Sequence, residues 1–72
     1  MIEMNKENGF YILLALSRGV LNTTQVYNQV PFGRNTTLKY LKYLTEKGFV
    51  LRGKEKNYLL WKLNLDKLEG NI

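Results

Sequence analysis

The sequence predicts a small α+β domain, mainly helical, in which three helices are followed by a C-terminal β-hairpin. Three observations lead there. Apolar residues recur at helical spacing between capping signals as far as Gly48. Residues 49–64 alternate on either side of a polar tip, and the positive charge gathers on the last helix and the hairpin. With 72 residues, the chain has the length of one domain, 1–72, near the size where a single core is only marginally stabilising. Association with a second copy would help it.

The first helix is expected over about 5–18. Asn5 or Asn8 can cap it, Glu7 suits the positive end of its dipole, and Arg18 the negative end. Gly19 supplies the positive-φ residue that commonly ends a helix. Phe10, Leu13, Leu14 and Ser17 form one face, while Tyr11, Ile12, Ala15 and Leu16 are apolar around most of the rest. A helix apolar on more than one side has to be covered on more than one side, and a partner subunit is a reasonable cover.

Val20-Leu21 is a minimal strand. Asn22 and Gln25 then have capping-box spacing, opening a second helix over about 23–30 that buries Val26 and Val30 and stops before Pro31. Pro31-Phe32-Gly33 makes a turn into a third helix over about 34–47. Its core stripe is Thr37 or Leu38, Leu41, Leu44 and Gly48, and Gly48 ends it. Phe49–Arg52 and Tyr58–Asn64 read as strands of a hairpin spanning about 49–64, with 53–57 as its tip. Leu59, Trp61 and Leu63 are the expected inward positions. Residues 65–69 add a terminal helical turn.

Several function classes drop out on composition. With no Cys and no His, the usual zinc frameworks, thiol nucleophiles and imidazole bases are missing, and a reducing interior is the natural compartment. The longest purely apolar run, Phe10 to Leu16, is far too short to cross a bilayer and lacks signal-peptide flanks. A cytoplasmic protein without a membrane partner is therefore expected. The carboxylates are scattered and no phosphate-binding glycine loop occurs, so neither an enzyme nor a small-molecule cofactor is expected.

The net charge of +5 is unevenly placed. Residues 34–62 hold eight basic side chains against two acidic ones, a surplus of six, while the remainder carries a deficit of one. One contiguous basic stretch is what a polyanion-binding face requires. An idle solvated surface is the competing reading.

Gly33-Arg34-Asn35-Thr36-Thr37-Leu38-Lys39-Tyr40-Leu41-Lys42-Tyr43-Leu44-Thr45-Glu46-Lys47-Gly48-Phe49-Val50 resembles the recognition helix and wing start of GntR- and MarR-type winged helix-turn-helix regulators. In that pattern a Ser-Arg-Thr-Thr-like start leads through Leu-x-x-Leu to Glu-Lys-Gly-Leu-Val. Counted from Asn22 to Leu63, the resemblance covers more than half of the chain. It implies a winged helix-turn-helix fold with a C-terminal β-hairpin wing, and a small cytoplasmic transcriptional regulator that binds double-stranded DNA as a homodimer. Two residues depart from the pattern. Gly33 stands where Ser is usual, losing a capping and phosphate-contacting hydroxyl, and Leu38 replaces a commonly polar residue, which narrows the base-reading set.

In such a protein the N-terminal turns of the third helix reach base edges in the major groove. Here those positions are Arg34, Asn35 and Thr36, with Lys39, Tyr40 and Tyr43 further along the face opposite Leu41 and Leu44. Arg reads guanine and Asn reads adenine with paired hydrogen bonds. Lys39, Lys42 and Lys47 suit phosphates, and the second helix start with Thr23 and Thr24 would take another. On the wing, Arg52, Lys54 and Lys56 are the DNA-binding candidates, Glu55 faces away or braces a neighbour, and Lys56 or Asn57 probes minor-groove width.

Each assignment has a plainer rival. Tyr40 and Tyr43 are phosphate donors, groove contacts or mere helix surface. Trp61 is a core residue before it is a stacking platform, Asn35 is also a helix-start residue, and the tip lysines also serve solubility. As a whole, the alternative is a winged helix that contacts protein in a transcription or replication assembly, recognisable by an apolar exposed patch. A left-handed duplex binder of the Z-alpha type is suggested by Leu60-Trp61-Lys62-Leu63, but its paired prolines and its helix Asn–Tyr spacing are missing.

Overall fold

A computed structural model describes residues 6–69. The elements follow in the order α1 (Lys6–Leu16), β1 (Leu21–Asn22), α2 (Thr23–Tyr27), α3 (Arg34–Glu46), β2 (Val50–Glu55), β3 (Tyr58–Leu63) and α4 (Leu65–Glu69). The three strands form one antiparallel sheet in the order β1-β3-β2. Three helices ahead of an antiparallel hairpin, with β1 pairing back onto that hairpin, make a winged helix-turn-helix fold with an added C-terminal turn of helix.

α1 is shorter than expected, and Asn8 lies inside it rather than capping it. The other capping candidate, Asn5, is outside the described residues. Of its several apolar sides, one is chosen for the core. Ile12, Ala15 and Leu16 turn inward at i, i+3 and i+4, whereas Phe10 is 65% and Leu14 55% exposed. A segment apolar nearly all round carries no periodicity from which to choose a face. Gly19, at φ +134°, donates its N–H to the Leu16 carbonyl and turns the chain out of the helix.

The capping box of α2 is complete: Gln25 N–H donates to Asn22 Oδ1, and Asn22 N–H to Gln25 Oε1, both at 2.8 Å. The α-helix ends at Tyr27, earlier than Pro31 requires. Beyond it the chain tightens into i→i−3 bonds, Gln29 to Val26 and Val30 to Tyr27, a common way for a helix end to close.

α3 starts after Gly33, which offers no side-chain cap. Its carbonyl is used twice instead, by the N–H and the hydroxyl of Thr37, both at 2.9 Å. Thr37 is thereby buried without an unmet polar atom. The far end is a Schellman closure. Gly48 N–H donates to the Thr45 carbonyl and Phe49 N–H to the Leu44 carbonyl, with Gly48 at φ +87°.

One core joins these elements: Ile12 and Leu16 of α1, Val26 of α2, Tyr40, Leu41 and Leu44 of α3, Val50 of β2 and Trp61 of β3. Trp61 is wholly buried, in keeping with its reading as core, and its Nε1–H donates to Thr23 Oγ1 at 2.9 Å. Leu63 packs beside it, while Leu59, on the same strand face, lies further out and is partly exposed. β2 runs closer to the tip than expected, to Glu55 instead of Arg52, while β3 begins at Tyr58 as expected. Glu55 pairs with Tyr58, leaving only Lys56-Asn57 as the turn, and Lys56 takes φ +54°. Beyond Arg52, β2 continues through Gly53-Lys54-Glu55 without an apolar residue, so hydropathy could not mark its extent. At the base of the hairpin, Asn64 Nδ2 donates to the Gly48 carbonyl and its N–H to that of Phe49, both at 2.9 Å.

Candidate nucleic-acid interface

With Thr37, Tyr40, Leu41 and Leu44 turned into the core, the opposite side of α3 is fixed by the 100° step of the helix. Asn35, Lys39, Lys42 and Glu46 form its exposed row. Arg34 and Leu38 lie along one margin of that row. They share an open concavity of about 270 Å³ with Thr23 and Thr24 of α2 and with Asn57, Tyr58 and Leu59 of the hairpin. The first turns of α3, the start of α2 and the wing thus meet around one hollow.

The expected site residues divide accordingly. Arg34, Asn35 and Lys39 are exposed on the first two turns of α3, and Thr36 is half-buried on the other margin. Tyr40 requires a correction. It is 4% exposed and stacks at a tilt against Phe32, ring centroids 5.8 Å apart, so it is a core residue and not a groove contact. Tyr40 completes a 37/40/41/44 inner face, broader than the 37/41/44 stripe read from the sequence. Tyr43 is likewise not on the face opposite Leu41 and Leu44. It is half-buried against the core, and Lys47 Nζ lies 5.6 Å from its ring centroid. Lys47 itself caps the far end of α3, about 20 Å from Arg34 at the helical rise.

On the wing, the register puts Arg52 opposite Trp61 and Lys54 opposite Leu59. Paired residues share a sheet face, so both cations lie on the face of Trp61; neither lines the hollow, and both border a second open depression beside the hairpin. Glu55, opposite Tyr58, belongs to the other face; of its two expected roles this fits the first, facing away. Lys56 is at the exposed turn. Among the described residues, none of Arg34, Lys39, Lys42, Arg52 or Lys54 is held in an ion pair, so their charges are not already neutralised within the fold.

Two contributions escaped the sequence reading. Tyr58 is 59% exposed at the rim of the hollow, and an exposed aromatic beside the wing turn was the signal for it. Thr23 was assigned with Thr24 to phosphate, yet its hydroxyl accepts the Trp61 bond, leaving Thr24 as the exposed hydroxyl of that helix start. Among the described residues no group of three or more potential metal ligands occurs, and no helix is long and apolar enough to cross a membrane.

No protein-family model matches the sequence, and no curated protein is similar to it. A solved structure described as a possible transcriptional regulator for arsenical resistance is similar in fold, with a TM-score of 0.74 and 22% identity. The likeness covers 81% of this chain and 60% of that one, so the chain spans well under two thirds of that protein's length.

Proposed function

We propose that the domain binds double-stranded DNA in a sequence-dependent way, laying the exposed row of α3 in the major groove and the wing along the neighbouring backbone. Transcriptional regulation is the role this suits, with no catalytic step. The observation that carries the reading is the shared hollow. Arg34 on α3, Thr24 on α2 and Asn57 on the hairpin line one concavity, while Lys39 is exposed on α3 and Arg52 and Lys54 are exposed on the hairpin. A helix end and a ribbon offered together at that spacing match the groove-and-backbone geometry of duplex readers. The fold neighbour's description as a possible transcriptional regulator supports the same direction. Two copies joined through the uncovered side of α1 would present two α3 helices to a palindromic site with half-sites about 34 Å apart.

Fluorescence anisotropy with random and selected duplexes across a salt series tests this. A steep fall in affinity with salt, and a selected site held far more tightly than random DNA, is the expected result. Salt-dependent binding without sequence preference would leave an architectural DNA protein. No binding at low salt would sink the proposal.

A second reading has its own observation. Val20 and Leu51 are exposed beside Leu60 around an open depression of about 710 Å³, which Arg52, Lys54, Glu55 and Lys62 also line. Such a patch suits protein contact, and this reading gains if the salt series shows no DNA affinity.

A further inference from the structure

We infer that Leu38 is a specificity residue that seats against the 5-methyl group of a thymine, making A·T pairs the preferred bases beneath the start of α3. The inference rests on the DNA-binding reading. Leu38 lies among polar neighbours, with Arg34 one turn before it, Lys42 one turn after it, and Lys39 next in the chain. One side of the leucine packs against the core cluster. The other borders the open hollow with Arg34, Tyr58 and Leu59. Packing alone accounts for the first contact and not for the half of the side chain left open to that concavity.

In the major groove every base edge offers hydrogen-bond donors or acceptors, and the thymine methyl is the one apolar group. Leucine against any other edge strips water from a polar atom without replacing its hydrogen bond, which is unfavourable. The side chain therefore discriminates twice, by favouring thymine and by penalising the rest. Asn35 lies one turn away at i−3, within about 6 Å along the helix surface, and asparagine suits adenine. The two neighbours point to the same kind of base pair.

The test uses the duplex that the wild-type protein enriches from a random pool, synthesised once with thymine and once with uracil, which lacks only the methyl. The expected result is binding to the uracil duplex about fourfold weaker per half-site, the size of one buried methyl group. With Leu38→Ala the two duplexes should bind equally, and with Leu38→Met, which keeps an apolar tip, the difference should persist. Equal wild-type affinity for the two duplexes overturns the inference while leaving DNA binding intact. A fourfold difference that survives Leu38→Ala assigns the methyl contact elsewhere and also overturns it. If the pool yields no bound duplex at all, the DNA reading itself falls and takes this one with it. The wild-type comparison needs no variant, so a poorly folded Leu38→Ala protein, visible by circular dichroism, does not remove the test.

Discussion

Thr23 and Trp61 form a side-chain pair 38 positions apart in the chain, and the bond between them is the means by which the only tryptophan is buried whole. An indole N–H enclosed without an acceptor costs about 1–3 kcal/mol. Thr23→Val keeps the shape and removes the acceptor, so it should lower stability by that amount in urea unfolding; an unchanged midpoint would mean the bond contributes nothing net. Tyr40 shows why single residues were the least legible level of the sequence. Its ring belongs in a core and its hydroxyl on a surface, so the residue type alone does not choose a face. The spacing does: with Thr37, Leu41 and Leu44 it completes the i, i+3, i+4, i+7 stripe of α3, and Phe32 packs against its ring. Arg34 and Asn35, by contrast, are exposed as expected, because a helix start just after a Pro-Phe-Gly turn leaves its first residues open.

At the scale of elements, boundaries were legible wherever the backbone chemistry is special. Asn22 with Gln25 and the glycines at 19 and 48 each fulfil the role their residue type implies. Gly48→Ala forces a Cβ into φ +87°, and a loss of about 1–2 kcal/mol is expected in thermal or urea unfolding. The wing was less legible. Beyond Arg52 strand β2 leaves the core, so its residues need no apolar alternation, and a polar strand reads as a loop until its partner's register is known. On the DNA-binding proposal the wing holds the backbone while α3 reads the bases. Lys54→Ala combined with Lys56→Ala should weaken binding to all duplexes alike and reduce the slope of log K against log salt by about 2, measured by the same anisotropy titration. A loss confined to one sequence would mean that the wing reads bases.

Over the whole molecule, the fold class was legible because order and spacing of elements suffice for it, while the choice of buried face on α1 was not. The consequence is an exposed row of Phe10, Tyr11 and Leu14 along α1. If two copies associate there, Leu14→Asp should shift the protein to monomer in sedimentation equilibrium without altering its circular dichroism, since the side chain has little to lose within one subunit. It should also cost affinity for a palindromic duplex far more than for a single half-site. A wild-type protein that stays monomeric at micromolar concentration would rule that association out.

β1 pairs with β3 at Leu21–Trp61 and Asn22–Leu60, and Asn22 is also the first link of the capping box that opens α2. The strand that carries the wing is therefore fastened, through a two-residue ribbon and one hydroxyl, to the helix that leads into α3. Wing and α3 behave as the fixed jaws of a caliper whose opening is set during folding, before any target is met. Docking then costs little ordering entropy in the protein, and the adjustment falls on the DNA. On the DNA-binding proposal, groove width would be a quantity such a domain gauges, and duplexes of equal base content but different stiffness would be sorted by how readily they fit the gap.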